Sequence, residues 1–182
     1  MTAIATDLGL TTGTWTIDPA HSEVTFGIRH LMSKVRGSFT EFTGRLEVAD
    51  DITKSTATAE IKLASVDTRN AQRDADLRAE GIFDVENHPV MTFAATGVRA
   101  DGDRYLVDGD LTIKGVARPV TLEVEFNGVG EDPWGGTRAG FTATTSINRK
   151  DFGVEFNVPM QGDKVLLGDK VDIHLEIQAV RA

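Results

Sequence analysis

The chain has 182 residues, no cysteine, a formal charge of −9 and a pI near 4.9. One domain with a sizeable core is expected at this length, and the lack of cysteine excludes disulfides, thiolate nucleophiles and cysteine-ligated metals. The acidic balance, with no Lys/Arg cluster along the sequence, argues against a nucleic-acid backbone or an anionic membrane surface as the main partner.

The first residues, Met-Thr-Ala-Ile-Ala-Thr-Asp-Leu-Gly-Leu, lack a positive start and carry Asp7 where a signal peptide needs an unbroken apolar run. Residues 1–13 are therefore expected to form a flexible leader, with a single domain over 14–182. No window reaches the length of a membrane-spanning helix, so no stable membrane insertion is expected and the expected compartment is the cytoplasm.

Eight alternating segments follow, at roughly 22–30, 35–48, 55–64, 90–99, 104–113, 119–127, 138–148 and 171–180. In the first, Val24, Phe26, Ile28 and His30 share one face and Glu23, Thr25, Gly27 and Arg29 the other, so an apolar face ends in a histidine. The second changes phase: Val35, Gly37 and Phe39 share one parity, Phe42, Gly44, Leu46 and Val48 the other. A bulge near Thr40 and Glu41 would keep both sets inward while bending the strand. Inward glycines at 37, 44 and 109 either let strands bend and pack or leave space for a guest.

One helix is expected over 70–80, with Asn70 as N-cap and Gly81 just past the last turn. Its weak stripe of Ala71, Ala75 and Ala79 suits a surface, or a position across an opening. The later strands continue the alternation: Phe93; Leu111 and Ile113; Leu122 and Phe126; Phe141 and Ile147; Ile173 and Leu175. The connection 149–169 is long and apolar, carrying Phe152, Val154, Phe156, Val158, Met160, Val165, Leu166 and Leu167, and is expected to be functional or folded over something. Many strands with short turns predict an all-β antiparallel sheet that curls or closes to remove its edges.

Asp18, His21 and Ser22 are the residue types of a hydrolytic triad, but on an extended segment neighbours point to opposite faces, and Asp18 before Pro19 reads as a turn initiator. Four histidines are present without paired ligand spacing, so no metal site and no cofactor are expected. His174 falls on a polar parity, His88 precedes Pro89, and His30 falls inward, either as a satisfied core histidine or as a polar tip for a ligand head group. Of nine phenylalanines, Phe26, Phe39, Phe42, Phe93, Phe126 and Phe141 lie on inward parities, with Phe83, Phe152 and Phe156 in or beside the long connections. Ordinary core accounts for most of them, and an eight-stranded barrel can be solid or can hold one slender ligand.

The stretches Trp15 to His30; Gly37 and Phe39; Thr68-Arg69-Asn70 with Arg73, Asp74 and Leu77; Phe83-Asp84 with Pro89; Gly109 to Gly115 with Pro119-Val120; and Asn148-Arg149-x-Asp151-Phe152-Gly153 occur together in order. In that arrangement the chain resembles the YceI-like family of polyisoprenoid-binding, lipocalin-like proteins. The resemblance implies an extended eight-stranded antiparallel barrel with a short helix over one end, often a homodimer, and a polyprenyl lipid or prenyl quinone tail in the lumen. The expected wall is Phe26, Ile28, His30, Phe39, Phe42, Phe93, Leu111, Ile113, Leu122, Phe126, Phe141, Ile147, Ile173 and Leu175, joined by Arg149, Phe152 and Phe156. For a head group the candidates are His30, Arg29, Asn148, Arg149 and Asp151, the alternative for Arg149 and Asp151 being a turn salt bridge. Three function classes stay open: a lipid-binding or carrier protein, an enzyme acting on an isoprenoid or fatty amide, and a filled barrel with a structural or stress-related interaction role.

Overall fold

The computed structural model describes residues 8–157 and 167–182. Its strands are β1 (Gly13–Ile17), β2 (Glu23–His30), β3 (Ser33–Phe39), β4 (Phe42–Val48), β5 (Thr56–Lys62), β6 (Val66–Asp67), β7 (Val90–Asp101), β8 (Arg104–Ile113), β9 (Val116–Glu131), β10 (Thr137–Asn148) and β11 (Leu167–Arg181), with one helix, α1 (Ala71–Arg78). Antiparallel pairing runs β1-β4-β5-β7-β8-β9-β10-β11 and back to β1, which closes a ring of eight strands. The hairpin β2–β3 extends the wall along β11, and β6 pairs briefly with β3.

Two interruptions give this barrel its length. The chain breaks at Thr40 and Glu41, where the phase change predicted a bulge, and β3 pairs with β2 while β4 pairs with β1. Between β1 and β2, Pro19 starts a short 3₁₀ turn capped by Asp18, whose side chain accepts from the Ala20 amide at 3.0 Å. The outer oxygen of Asp18 also meets Arg138 Nη1 and His21 Nδ1, each at 2.7 Å, and Arg138 Nε reaches Asp132 at 2.7 Å. Ser22 is held elsewhere, accepting from the Gln178 amide at 3.0 Å and donating to its carbonyl at 3.3 Å. The three residue types of a hydrolytic triad thus serve a strand corner.

Three expectations need correction. Part of the expected leader packs onto the barrel: Leu10 is 4% exposed within a cluster of Trp15, Val48, Ile52, Ala139 and Ala179, Leu8 lies against it, and the Thr11 carbonyl accepts from Trp15 Nε1 at 2.9 Å. Burial of Trp15, which is fully enclosed, needs that cover; residues 1–7 lie outside the described residues. The helix stops at Arg78, and Gly81 is not its terminal glycine, because the Ala79 carbonyl instead receives the amides of Ile82 (3.1 Å) and Asp84 (2.9 Å) and turns Ile82 and Phe83 inward. Several strands are also longer than the alternation indicated, β9 and β11 most of all, since pairing continues beyond the apolar stretch.

Each inward glycine is covered by the side chain of a neighbouring strand. A Cβ on Gly37 would lie 2.5 Å from Phe26 Cζ and 2.9 Å from Thr68 Cγ2, while Gly109 is covered by Phe93 and Gly44 by Ile17. Each of these side chains occupies the space over a neighbouring glycine, Phe26 and Phe93 as aromatic rings do over glycines in curved sheets.

Two outcomes follow from these contacts. Gly37→Ala is expected to lower stability by about 1–3 kcal/mol through overpacking. Adding Phe26→Leu should recover a substantial part, read as non-additive denaturant midpoints. Separately, the hydrogen bond from Arg138, followed by that from His21, holds the Asp18 carboxyl down to about 2 from its ordinary 3.8. A lowered folded-state value means that the stabilisation is present above about pH 4 and lost as pH falls toward about 2. The thermal midpoint of the wild type should therefore fall more steeply across that window than that of Arg138→Gln.

Candidate functional site

The inward faces of the strands enclose a cavity of about 1030 Å³. From β2 it is lined by Phe26, Ile28 and His30, and from β3 and β4 by Phe39 and Phe42. The far wall comes from Phe93 of β7, Leu111 and Ile113 of β8, Leu122 and Phe126 of β9, Phe141 and Ile147 of β10, and Ile173 and Leu175 of β11. Arg149, Phe152 and Phe156 of the long connection border the same space, so every residue expected to line a lumen does so. Alternation is the cause: in a paired strand the register fixes each second side chain to the same face.

The cavity is bounded differently at its two ends. Leu10, Trp15, Val48 and Ile52 pack together beneath one end. Toward the other, Ile82, Phe152 and Val154 bury themselves against Leu111, Ile113 and Val120. Beside that plug the lining includes the exposed Asn70, Gln72 and Asp76 at α1, and the half-exposed Phe156, which mark an open rim. Aromatic contacts stiffen the wall: the ring centroids of Phe26 and Phe39 are 5.4 Å apart, and those of Phe126 and Phe141 are 5.5 Å apart.

Helix α1 is fixed at the rim by a polar knot that sequence reasoning did not identify as such. Asp74 accepts from the Thr68 amide at 2.9 Å and from its hydroxyl at 2.5 Å, and Arg73 donates to the Thr68 hydroxyl (2.8 Å) and carbonyl (2.6 Å). Thr68 and Asp74 are both buried. The only signal for this knot was the Thr68 to Asp74 stretch itself, because a hydrogen bond across six positions has no hydrophobic period.

The head-group candidates separate. His30 borders the cavity, whereas Arg29, Asn148 and Asp151 are exposed and absent from its lining; Asn148 instead caps the turn at Lys150 with a 3.0 Å bond. The alternative for Arg149 and Asp151, a turn salt bridge, is not what Arg149 forms. Arg149 is 5% exposed and donates to the carbonyls of Gly168 (2.8 Å), Val154 (2.8 Å) and Phe156 (2.9 Å), clamping the start and end of the long connection. Its Nη2 has no hydrogen-bond partner among the described residues, with Asp169 at 3.8 Å. Burial lowers the Arg149 pKa from its ordinary value, partly opposed by Asp169. Val158, Met160, Val165 and Leu166 of that connection lie outside the described residues.

On the outer surface His174 bonds Glu176 at 2.6 Å. Among the described residues no three or more His, Cys, Asp or Glu side chains gather as a metal site, and no helix is long and apolar enough to cross a membrane. Chemically the cavity offers a mainly apolar lining, with His30, Thr145 and Arg149 toward the rim and Ser55, Thr56 and Tyr105 among the polar groups elsewhere.

Comparison with known proteins agrees with this architecture. A UPF0312 protein of Photorhabdus laumondii is 38% identical over 163 residues, covering 88% of this chain and 82% of that protein. Among solved structures, BcnA of Burkholderia cenocepacia superposes with a TM-score of 0.75 at 25% identity, over 89% of this chain and 98% of that one. A polyisoprenoid binding domain from Saccharophagus degradans, implicated in plant cell wall breakdown, shares the fold with a TM-score of 0.68 at 17% identity, over 94% of this chain and 100% of that one. Residues 15–179 match the YceI-like domain, and the chain therefore belongs to the YceI-like family.

Proposed function

We propose that this protein binds a long apolar isoprenoid, a polyprenyl lipid or a prenyl quinone, in the barrel lumen and sequesters or carries it. The carrying observation is the cavity of about 1030 Å³ walled by Phe, Leu, Ile and Val from every strand of the ring. Small-molecule sites range over roughly 300–1,000 Å³, so this space is at the large end, and its walls suit a chain without polar groups. The Saccharophagus degradans domain of the same fold is described as polyisoprenoid binding, which supports this class of guest.

Burial accounts for affinity. Each buried CH₂ contributes about 0.8 kcal/mol, so one five-carbon isoprene unit contributes about 3–4 kcal/mol before ordering costs. A few units bind tightly without any charged contact, and polar groups near the open end then orient the guest more than they hold it.

Organic extraction of the purified protein followed by mass spectrometry tests the reading. A stoichiometric prenyl species is expected; an empty extract together with no uptake of added prenyl quinone would overturn it. Because the wall is apolar, quinone affinity should change by less than about tenfold between low and high salt. Phe141→Trp should reduce co-purified lipid while lowering stability by no more than about 3 kcal/mol. A folded variant carrying a full load would remove Phe141 from the guest's path.

A further inference from the structure

The turn between β2 and β3 is built against the usual chemistry of turns. His30 and Ser33 pair across the hairpin, leaving Leu31 and Met32 as a two-residue connection. Leu31 has φ 54°, in the left-handed region where glycine and asparagine are at ease and a bulky residue is strained. Burial does not explain the choice, since Leu31 is 44% exposed and Met32 is 96% exposed. Two apolar side chains are thus held in water at a position where neither the backbone nor the core calls for them.

Their surroundings are cationic although the whole chain carries −9. Arg29 faces Lys34 across the hairpin, Arg36 follows on the same outer face, and Lys170 lies on the adjoining β11. Lys34 and Lys170 share Asp172, at 2.6 and 3.5 Å, whereas Arg29 and Arg36 have no carboxylate within ion-pair distance among the described residues. Arg29, Lys34 and Arg36 already lie within eight residues of sequence that hold no acidic residue, and the fold adds Lys170 from β11. The tip also adjoins the cavity: His30 borders the lumen and pairs with Leu167, and the half-exposed Phe156 borders the lumen as well.

We propose that the β2–β3 tip docks the open rim of the barrel on a bilayer containing anionic phospholipid, with Leu31 and Met32 entering the headgroup boundary and Arg29, Lys34 and Arg36 facing lipid phosphates. The proposal rests on the reading that the lumen takes a membrane-derived lipid. Exposed apolar side chains flanked by cations are what interfacial binding requires, and such contact is peripheral and reversible. Met32, unbranched and adaptable, suits a fluid partner.

The test uses the full chain, vesicles of phosphatidylcholine with or without phosphatidylglycerol, and flotation at low and high salt. Binding is expected to the mixed vesicles, weaker on neutral ones and weakened by salt. Leu31→Asn combined with Met32→Ser should lose about tenfold or more in vesicle binding. The same variant should keep prenyl quinone uptake from solution and an equal or higher thermal midpoint, because asparagine suits the left-handed backbone. Arg29→Gln combined with Arg36→Gln provides a second probe that leaves the turn intact, and should lose binding to mixed vesicles only. Quinone uptake without vesicle binding would overturn the docking proposal and leave the cargo reading standing, whereas no uptake by the wild type would overturn both. Unchanged flotation of the tip variant, or a variant that floats normally but changes from dimer to monomer in sedimentation, would assign the tip elsewhere and overturn it.

Discussion

Closure of the backbone ring between β1 and β11 is the constraint on which the rest of the molecule depends. A twisted sheet of this size with open edges would present unpaired amides and carbonyls to other chains. Here the last strand returns to the first through Trp15 with Arg181, Thr16 with Val180, and Ile17 with Ala179. Trp15 and Ala179 are both fully enclosed at this seam, and the Arg181 side chain reaches back to Thr11 and Thr12. The short segment ahead of β1 therefore belongs to the seam, and its packing at Leu10 follows from the need to cover Trp15.

A closed ring need not be hollow, and small wall residues decide the matter here. Gly37, Gly44 and Gly109 let Phe26, Ile17 and Phe93 lie along the sheet instead of standing into the centre. Packing and space for a guest, which look like alternative roles for an inward glycine, are one role in this geometry. Each side chain stays in dispersion contact with the wall, and the axis is left open.

What was legible in the sequence was what repeats every second residue. Alternation identified the wall from Phe26 to Leu175, and the break at Thr40 and Glu41 showed as a change of phase. What was hidden was what depends on contacts between distant positions or on backbone angles. The Arg149 clamp joins Gly168, Val154 and Phe156, and nothing in the spacing of those residues announces that their carbonyls converge. Helix α1 ended short of Gly81 because Ala79 was needed to turn Ile82 and Phe83 inward. Net charge is also blind to arrangement. A value summed over the chain said nothing of Arg29, Lys34, Arg36 and Lys170, which three strands bring to one face.

Tight burial of an isoprenoid creates a kinetic difficulty that bears on where the openings of such a barrel should lie. If each unit contributes about 3–4 kcal/mol on leaving water, a chain of several units passing through bulk solvent meets a barrier of the same order as its binding energy. The barrier shrinks if the guest moves from one apolar phase to another without crossing water. An exposed apolar tip beside the rim would shorten that crossing, and its exposure in the free protein limits how much apolar surface it can carry. Two residues are a small patch, enough for reversible contact and too little for permanent anchoring. The strain accepted at Leu31 is then understandable as the local consequence of keeping an apolar contact beside the rim, where His30 borders the lumen.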